Sequence, residues 1–123
     1  MVQLASDPAV VSFAHLLEVF FTIHDPTQVT RQGADVGTQY RSAIFFHSPE
    51  QEAAAHAALE RAGALWDGAL VTEVTPAVRF WPAEDYHADY FARNANQPYC
   101  AAVVAPKVAK ARAHFRSLLK RPV

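Results

Sequence analysis

The chain has 123 residues, which suits a single domain, and a folded chain of this length buries roughly two-thirds of its unfolded surface. Hydrophobic residues make up 51% and charged residues 19%, a balance that excludes an intrinsically disordered protein. The formal net charge is only −1. No apolar run approaches the roughly 20 residues of a membrane-spanning helix, and the first residues lack the basic and apolar regions of a secretory signal.

The N-terminal part of the sequence predicts a short strand followed by a helix. Residues 2–4 are expected to form the strand. Ser12 is a typical N-cap for the helix, which has apolar residues at the i, i+3, i+4, i+7 spacing of a buried stripe. The helix should end near Asp25, because a residue before proline is driven out of the helical region. The stripe consists of Phe13, Leu16, Leu17, Phe20 and Phe21.

The middle of the sequence predicts a loop, a strand, a helix and another strand. A polar loop over residues 27–39 leads into a strand over residues 40–47, whose consecutive apolar residues predict cover on both faces. Ser48-Pro49-Glu50-Gln51 has the form of a capping box with proline at the first helical position, and the helix should end near Gly63. A strand over residues 70–75 is expected to stop at Pro76.

The C-terminal part predicts two helices. A short one is expected over residues 83–93, and the last should begin at Pro106, with Val108, Ala111, Phe115, Leu118 and Leu119 on its inner face. Strands and helices would then alternate around one sheet in one domain, residues 1–123, since no repeat or linker divides the chain.

Six of the eleven lysines and arginines lie near the C-terminus, and no acidic residue follows Asp89. A basic terminal helix could touch nucleic acid or a membrane surface. The alternative is a solvated helix face that complements the helix dipole. The second interpretation is favoured because no nucleic-acid motif accompanies the charges, so neither partner is expected. The cations are Lys107, Lys110, Arg112, Arg116, Lys120 and Arg121.

Two sequence blocks carry a family resemblance. Residues 35–42, Asp-Val-Gly-Thr-Gln-Tyr-Arg-Ser, follow the segments His24-Asp25-Pro26-Thr27-Gln28 and Arg31-Gln32-Gly33, and residues 81–90 read Trp-Pro-Ala-Glu-Asp-Tyr-His-Ala-Asp-Tyr. Together they closely resemble the peptide methionine sulfoxide reductase A family, from about residue 2 to residue 116. The resemblance implies an α+β fold, a ferredoxin-like sandwich with long loops and a C-terminal helix. Against that family pattern the domain is expected to be incomplete, lacking the first strand, first helix and second strand.

Sulfoxide reduction needs a thiolate that attacks sulfur and an acid that protonates the departing oxygen. In the family resembled, the thiol comes from a Gly-Cys-Phe-Trp segment whose aromatic rings clasp the substrate methyl group, and a glutamate is the acid. This sequence contains no Gly-Cys-Phe-Trp. Matching the strands puts the expected glutamate one position before Met1. We therefore expect the nucleophile and acid to lie upstream, and the chain alone to be inactive.

Asp35 and Tyr40 match the family's aspartate and tyrosine that hydrogen-bond the sulfoxide oxygen. From spacing alone, Asp35 capping a turn and Tyr40 packing as an ordinary strand aromatic is the simpler interpretation. The motif match favours the site.

Tyr86 and His87 fall on the rim of the sulfoxide pocket by the same resemblance, which makes them substrate-binding candidates. Without the resemblance they belong to a solvent-facing acidic helix. Glu84 and His87 could share a helix face as metal ligands, but two ligands are too few, so no metal site is expected.

Cys100 is the sole cysteine, which excludes an internal disulfide and fits a reducing, cytoplasmic compartment. It falls where many relatives carry a resolving cysteine, which attacks the sulfenic acid on the first cysteine to give a disulfide that thioredoxin reduces. The alternative is an inert, buried, small apolar residue.

The resemblance implies an oxidoreductase that repairs methionine-S-sulfoxide, free or in oxidised proteins, under oxidative stress. Its reductant would be thioredoxin or dithiothreitol, with no bound cofactor. The alternative is a non-catalytic chain that binds methionine sulfoxide or a protein partner.

Overall fold

The computed structural model describes residues 1–66 and 69–119, which fall into two compact units, Met1–Arg79 and Phe80–Val123. The first unit contains helix α1 (Phe13–Ile23), strands β1 (Arg31–Gln32), β2 (Asp35–Val36) and β3 (Ala43–Phe46), helix α2 (Pro49–Ala62) and strand β4 (Glu73–Pro76). The second contains the short helix α3 (Tyr90–Arg93) and helix α4 (Ala105–His114). The predicted α+β class is confirmed, whereas the single domain over residues 1–123 stays a prediction.

Helix α1 begins and ends where its sequence predicts. The hydroxyl oxygen of Ser12 accepts a hydrogen bond from the His15 amide at 3.1 Å, which satisfies one of the free amides of the first turn. The helix stops at Ile23, and the fully buried Pro26 follows three residues later. Local signals thus fix both ends of α1.

Strands β3 and β4 form a parallel pair, with Ala43 opposite Glu73 and Phe46 opposite Pro76. A parallel pair needs a long crossover, which α2 supplies. The predicted cap of α2 is present, because the Ser48 hydroxyl accepts from the Gln51 amide at 3.2 Å. The Gln51 side chain completes it by accepting from the His47 amide at 2.7 Å, one residue before the position expected of a capping box.

The core of the first unit lies between α1, α2 and the parallel pair. The small alanine side chains on α2 let its backbone lie close to α1 and β3. Phe20 packs edge-on against Phe21 with ring centroids 5.1 Å apart. The indole of Trp66 donates to the Phe21 carbonyl oxygen at 3.3 Å. The buried members of the core are Leu17, Phe21, Ile44, Ala55, Ala58 and Ala62.

Five predictions about strands are wrong in detail. Residues 2–4 are exposed and form no strand, because within the described residues no neighbouring strand hydrogen-bonds to them. The predicted loop over residues 27–39 contains the antiparallel pair β1–β2. The described strands therefore form two separate two-stranded sheets rather than one. Strand β3 is shorter than predicted, and β4 ends on Pro76 instead of before it.

The prediction of one helix over residues 83–93 is also wrong. A 3₁₀ turn at Asp85–His87 is followed by Asp89 with a φ of 51°, a left-handed conformation that interrupts a helix, and then by α3. A π-helical turn over Cys100–Val104 precedes α4.

Helix α4 ends at His114, so Phe115 and Leu118 of the predicted inner face lie beyond it, and Leu118 is 41% exposed. Among the predicted basic residues, Lys110, Arg112 and Arg116 are exposed. Lys120 and Arg121 lie outside the described residues. None of the helices in the described ranges is long and apolar enough to cross a membrane.

Candidate active site

Asp35 lies on a tight hairpin. It pairs with Gln32 across β1 and β2, and the two-residue turn between the strands begins with Gly33 at a φ of 55°. Glycine at the first central position is typical of hairpin turns that need a positive φ. The amide of Gly37 donates to the Thr30 carbonyl oxygen at 2.8 Å and closes the base of the hairpin. The Asp35 side chain is thereby held half-buried on a short, constrained element.

Gln32 anchors this hairpin to the end of α1. Its side-chain oxygen accepts from the Asp25 amide at 3.0 Å, and its side-chain nitrogen donates to the Asp25 carbonyl oxygen at 2.6 Å. Gln28 adds a second link by accepting from the Gly33 amide at 2.8 Å. Sequence reasoning quoted these glutamines only as parts of a motif and missed their role, because the bonds connect residues five to seven positions apart through side chains.

Tyr40 ends a 3₁₀ turn, Thr38–Tyr40, that packs against β1. Its amide donates to the Gly37 carbonyl oxygen at 3.0 Å, and the tyrosine is 38% exposed, so the ring is only partly covered. Asp35 and Tyr40 therefore belong to one continuous hairpin-and-turn segment on either side of Gly37. A carboxylate that accepts hydrogen bonds and a phenol that donates them suit a polar ligand.

Ser42, two residues after Tyr40, belongs to a buried set of side-chain hydrogen bonds with His24 and Thr72, which we call the polar network. The Ser42 hydroxyl oxygen is 2.7 Å from Nε2 of His24 and 2.7 Å from the Thr72 hydroxyl oxygen. Nδ1 of His24 contacts the Phe20 carbonyl oxygen. Ser42 and Thr72 are only 5% and 8% exposed. Sequence reasoning missed the polar network because its hydrogen-bonded residues are 18 and 30 positions apart.

Gly37 is the residue most sensitive to substitution in this segment. Its φ of 146° and ψ of 160° fall in a region that residues with a Cβ rarely adopt. We expect Gly37→Ala to lower the free energy of unfolding by about 1–3 kcal/mol, and a urea titration followed by circular dichroism measures the loss. Gly63→Ala is the matched control, because Gly63 has a φ of −57° that alanine adopts readily. Equal losses in the two variants would contradict the role of the Gly37 backbone.

Tyr86 and His87 lie next to each other in the second unit, on the 3₁₀ turn Asp85–His87. Their rings lie against each other at a tilt of 34° with centroids 4.3 Å apart, and Tyr86 is 61% exposed. Arg93 holds the turn by donating to the Tyr86 carbonyl oxygen at 2.8 Å. His87 Nε2 lies 3.2 Å from a Glu84 carboxylate oxygen. Within residues 1–66 and 69–119, no group of three or more His, Cys, Asp or Glu side chains could hold a metal ion.

Cys100 is fully buried at the start of the π-helical turn. Its role as a resolving thiol stays a prediction, and in that role it would have to become exposed, because a thiol reacts only when an oxidant or partner can reach it.

We expect Cys100 to react with Ellman's reagent about a hundredfold more slowly in the native chain than in denaturing guanidinium chloride, which corresponds to an opening free energy of about 2.7 kcal/mol. The rate is measured by thiolate release at constant pH. Native labelling as fast as that of the denatured chain would contradict the buried position.

Known proteins share this sequence and fold. Residues 1–119 match the family described as peptide methionine sulfoxide reductase. The chain is 50% identical over 119 residues to the peptide methionine sulfoxide reductase MsrA of Thermus thermophilus, and the match covers 97% of this chain and 68% of that protein. It is 48% identical over 122 residues to MsrA of Chromobacterium violaceum, covering 98% and 69%.

Two solved structures resemble the chain as well. Reduced Mxr1 from Saccharomyces cerevisiae superposes with a TM-score of 0.72 at 36% identity, covering 76% of this chain and 52% of that one. Methionine sulfoxide reductase A of Corynebacterium diphtheriae gives 0.64 at 37% identity, covering 74% and 49%. The α+β fold of this chain is thus shared with these two structures. The chain belongs to the peptide methionine sulfoxide reductase family, and it spans about half the length of these two solved chains.

Proposed function

We propose that this chain forms the sulfoxide-binding part of a methionine-S-sulfoxide reductase. Tyr40 donates a hydrogen bond to the sulfoxide oxygen, Asp35 accepts one from the acidic glutamate while that group is protonated, and a preceding segment supplies the nucleophilic cysteine and this glutamate. The observation that carries the proposal is the hairpin-and-turn segment that fixes Asp35 and Tyr40 on either side of Gly37. Family membership supports it, as does the lack of any Gly-Cys-Phe-Trp in the 123 residues.

Hydrogen bonds to the sulfoxide oxygen draw electron density away from sulfur and favour attack by a thiolate. A Tyr40 hydroxyl that donates to this oxygen would stabilise the negative charge that develops there as the sulfur–oxygen bond breaks. Over a full cycle the sulfoxide becomes a thioether, two thiols become a disulfide, and the oxygen leaves as water. No bound cofactor is needed, since thioredoxin or dithiothreitol returns the disulfide to thiols.

Three further residues have roles in this proposal. Cys100 is the thiol that resolves the sulfenic acid, after the local opening that its burial requires. Tyr86 and His87, both exposed, are the candidates for substrate contact in the second unit. The compartment is the cytoplasm, where a reducing environment keeps a single thiol reduced.

The test is to supply the missing groups. The segment that precedes the matched region in the T. thermophilus relative is fused before Met1, and reduction of S- and R-methionine sulfoxide by dithiothreitol is measured. We expect S-selective turnover by the fused protein and none by the 123-residue chain. A fused protein in which the proposed nucleophilic cysteine of the added segment is replaced by serine is the control. Turnover by the short chain, or a folded fusion without activity, would contradict the proposal.

A second function is favoured by the presence of Asp35 and Tyr40 in a sequence without Gly-Cys-Phe-Trp. In this alternative the chain binds methionine sulfoxide, or a protein partner, without reducing it. Titration of the purified chain with a methionine-sulfoxide peptide tests it, and the lack of saturable binding at millimolar peptide would exclude sulfoxide binding.

A further inference from the structure

We infer that His24 is a positioning residue for the sulfoxide site, which anchors the segment after Tyr40 to the end of helix α1 through Ser42. The inference deepens the proposed function and rests on it for the identity of the ligand. The anchoring itself follows from hydrogen bonds that do not depend on the ligand.

When the His24 imidazole is neutral, the hydrogen bonds of the polar network run in one donor-to-acceptor direction, from Thr72 through Ser42 to His24. The Phe20 carbonyl oxygen can only accept, so Nδ1 of His24 carries the proton and Nε2 is an acceptor. Ser42 must then donate to Nε2 across 2.7 Å, and Thr72 must donate to Ser42 across 2.7 Å. The hydroxyl hydrogens of Ser42 and Thr72 both have an acceptor in this arrangement.

Burial makes these bonds costly to break. Ser42 and Thr72 are 5% and 8% exposed, and the His24 ring packs against Phe20 at a tilt of 40° with centroids 4.0 Å apart. A buried donor or acceptor that loses its partner cannot be resolvated by water without opening the structure. The polar network therefore joins three places firmly: the end of α1, the residue before β3 and the residue before β4.

Both site residues are tied to the pair His24-Asp25. Ser42 lies two positions after Tyr40, and its carbonyl oxygen accepts from the Glu73 amide at 3.0 Å, so His24 holds the backbone that directly follows the turn containing Tyr40. Gln32 grips both backbone groups of Asp25 at 3.0 and 2.6 Å, and Gln32 is paired with Asp35 across the hairpin. Two adjacent residues thus tie the hairpin that contains Asp35 and the segment after Tyr40 to the end of α1.

The experiment uses the full 123-residue chain, with N-acetyl-methionine-S-sulfoxide methylamide as the probe. His24→Asn and Ser42→Ala each remove the bond between the imidazole and the hydroxyl, and Thr72→Val removes only the last donor. Thr75→Val is the matched control in β4, because the Thr75 hydroxyl is buried without a hydrogen-bond partner among the described residues. Ile44→Val is the control for stability, since it removes one methyl group from the hydrophobic core at β3 and leaves the polar network intact.

We expect His24→Asn and Ser42→Ala each to weaken probe binding by roughly three- to tenfold. The double variant should be no weaker than either single variant, because both remove the same bond. Hydrogen exchange of the Gly37 and Tyr40 amides should accelerate in these variants and in Thr72→Val. Neither Thr75→Val nor Ile44→Val should change binding or exchange at those amides. Nitrogen-15 shifts of the His24 ring should show a protonated Nδ1 and an unprotonated Nε2.

The arms of this experiment separate the inference from the proposed function. If the unaltered chain fails to bind the probe while exchange at Gly37 and Tyr40 responds as expected, the positioning role is supported and sulfoxide binding by this chain alone is rejected. Effects that multiply in the double variant would overturn the inference. It is also overturned if Ile44→Val accelerates the same amides as much as Ser42→Ala does, or if the ring carries its proton on Nε2.

Discussion

Tyr40→Phe in the fused, catalytically complete protein should lower kcat about a hundredfold, with a smaller change in KM. The phenol is proposed to donate to an oxygen whose negative charge grows in the transition state, and loss of one such donor costs about 10²–10³ in rate. Asp35→Asn is expected to act in the same direction, because the amide places a donor where the site needs an acceptor. Steady-state reduction of methionine-S-sulfoxide with dithiothreitol measures both.

Tyr90→Phe is the matched control for Tyr40→Phe. The Tyr90 hydroxyl donates to the Gln97 side-chain oxygen at 2.8 Å in the second unit, and no role in the site is proposed for it. Its removal should leave kcat within about twofold, since a variant outside the reacting groups does not change transition-state binding. If Tyr40→Phe turned over as fast as Tyr90→Phe, Tyr40 would have no part in the chemistry.

Phe21→Ala should destabilise the first unit by about 3–5 kcal/mol, the range measured for truncation of a buried aromatic side chain. Phe21 is 5% exposed and packs on Phe20 and Leu17 in the core. A loss of this size is comparable with the whole stability of a small domain, about 5–15 kcal/mol. We therefore expect the variant to be largely unfolded, as measured by urea titration with tryptophan fluorescence and circular dichroism.

Val78→Ala is the control for the core prediction. Val78 is 80% exposed in the same unit, so its truncation should change the free energy of unfolding by less than about 0.5 kcal/mol. An unfolding curve of Phe21→Ala that coincides with that of Val78→Ala would mean that the α1 core does not stabilise the folded chain.

Predictions that depend on neighbouring residues agree with the structure. Ser12 and Ser48 cap their helices through amides three residues away, and that geometry is set by the local backbone alone. Asp35 and Tyr40 were assigned through a family motif, and the structure places them on one segment. Their chemical roles stay predictions until the fused protein is assayed.

Predictions that depended on a distant partner were less successful. Residues 2–4 have the composition of a strand, but a strand forms only where another strand accepts its hydrogen bonds. The helix over residues 83–93 is the exception among the local predictions, because the left-handed backbone conformation of Asp89 interrupts it and helical periodicity does not report that conformation.

The sequence by itself determined the family, the two capped helices and the identity of the polar residues flanking Gly37, because each is written in contiguous residues. Only the tertiary structure decided how those residues are held. His24, Ser42 and Thr72 are joined across 18 and 30 positions, and the chain reveals such partners only after it has folded and excluded water from between them.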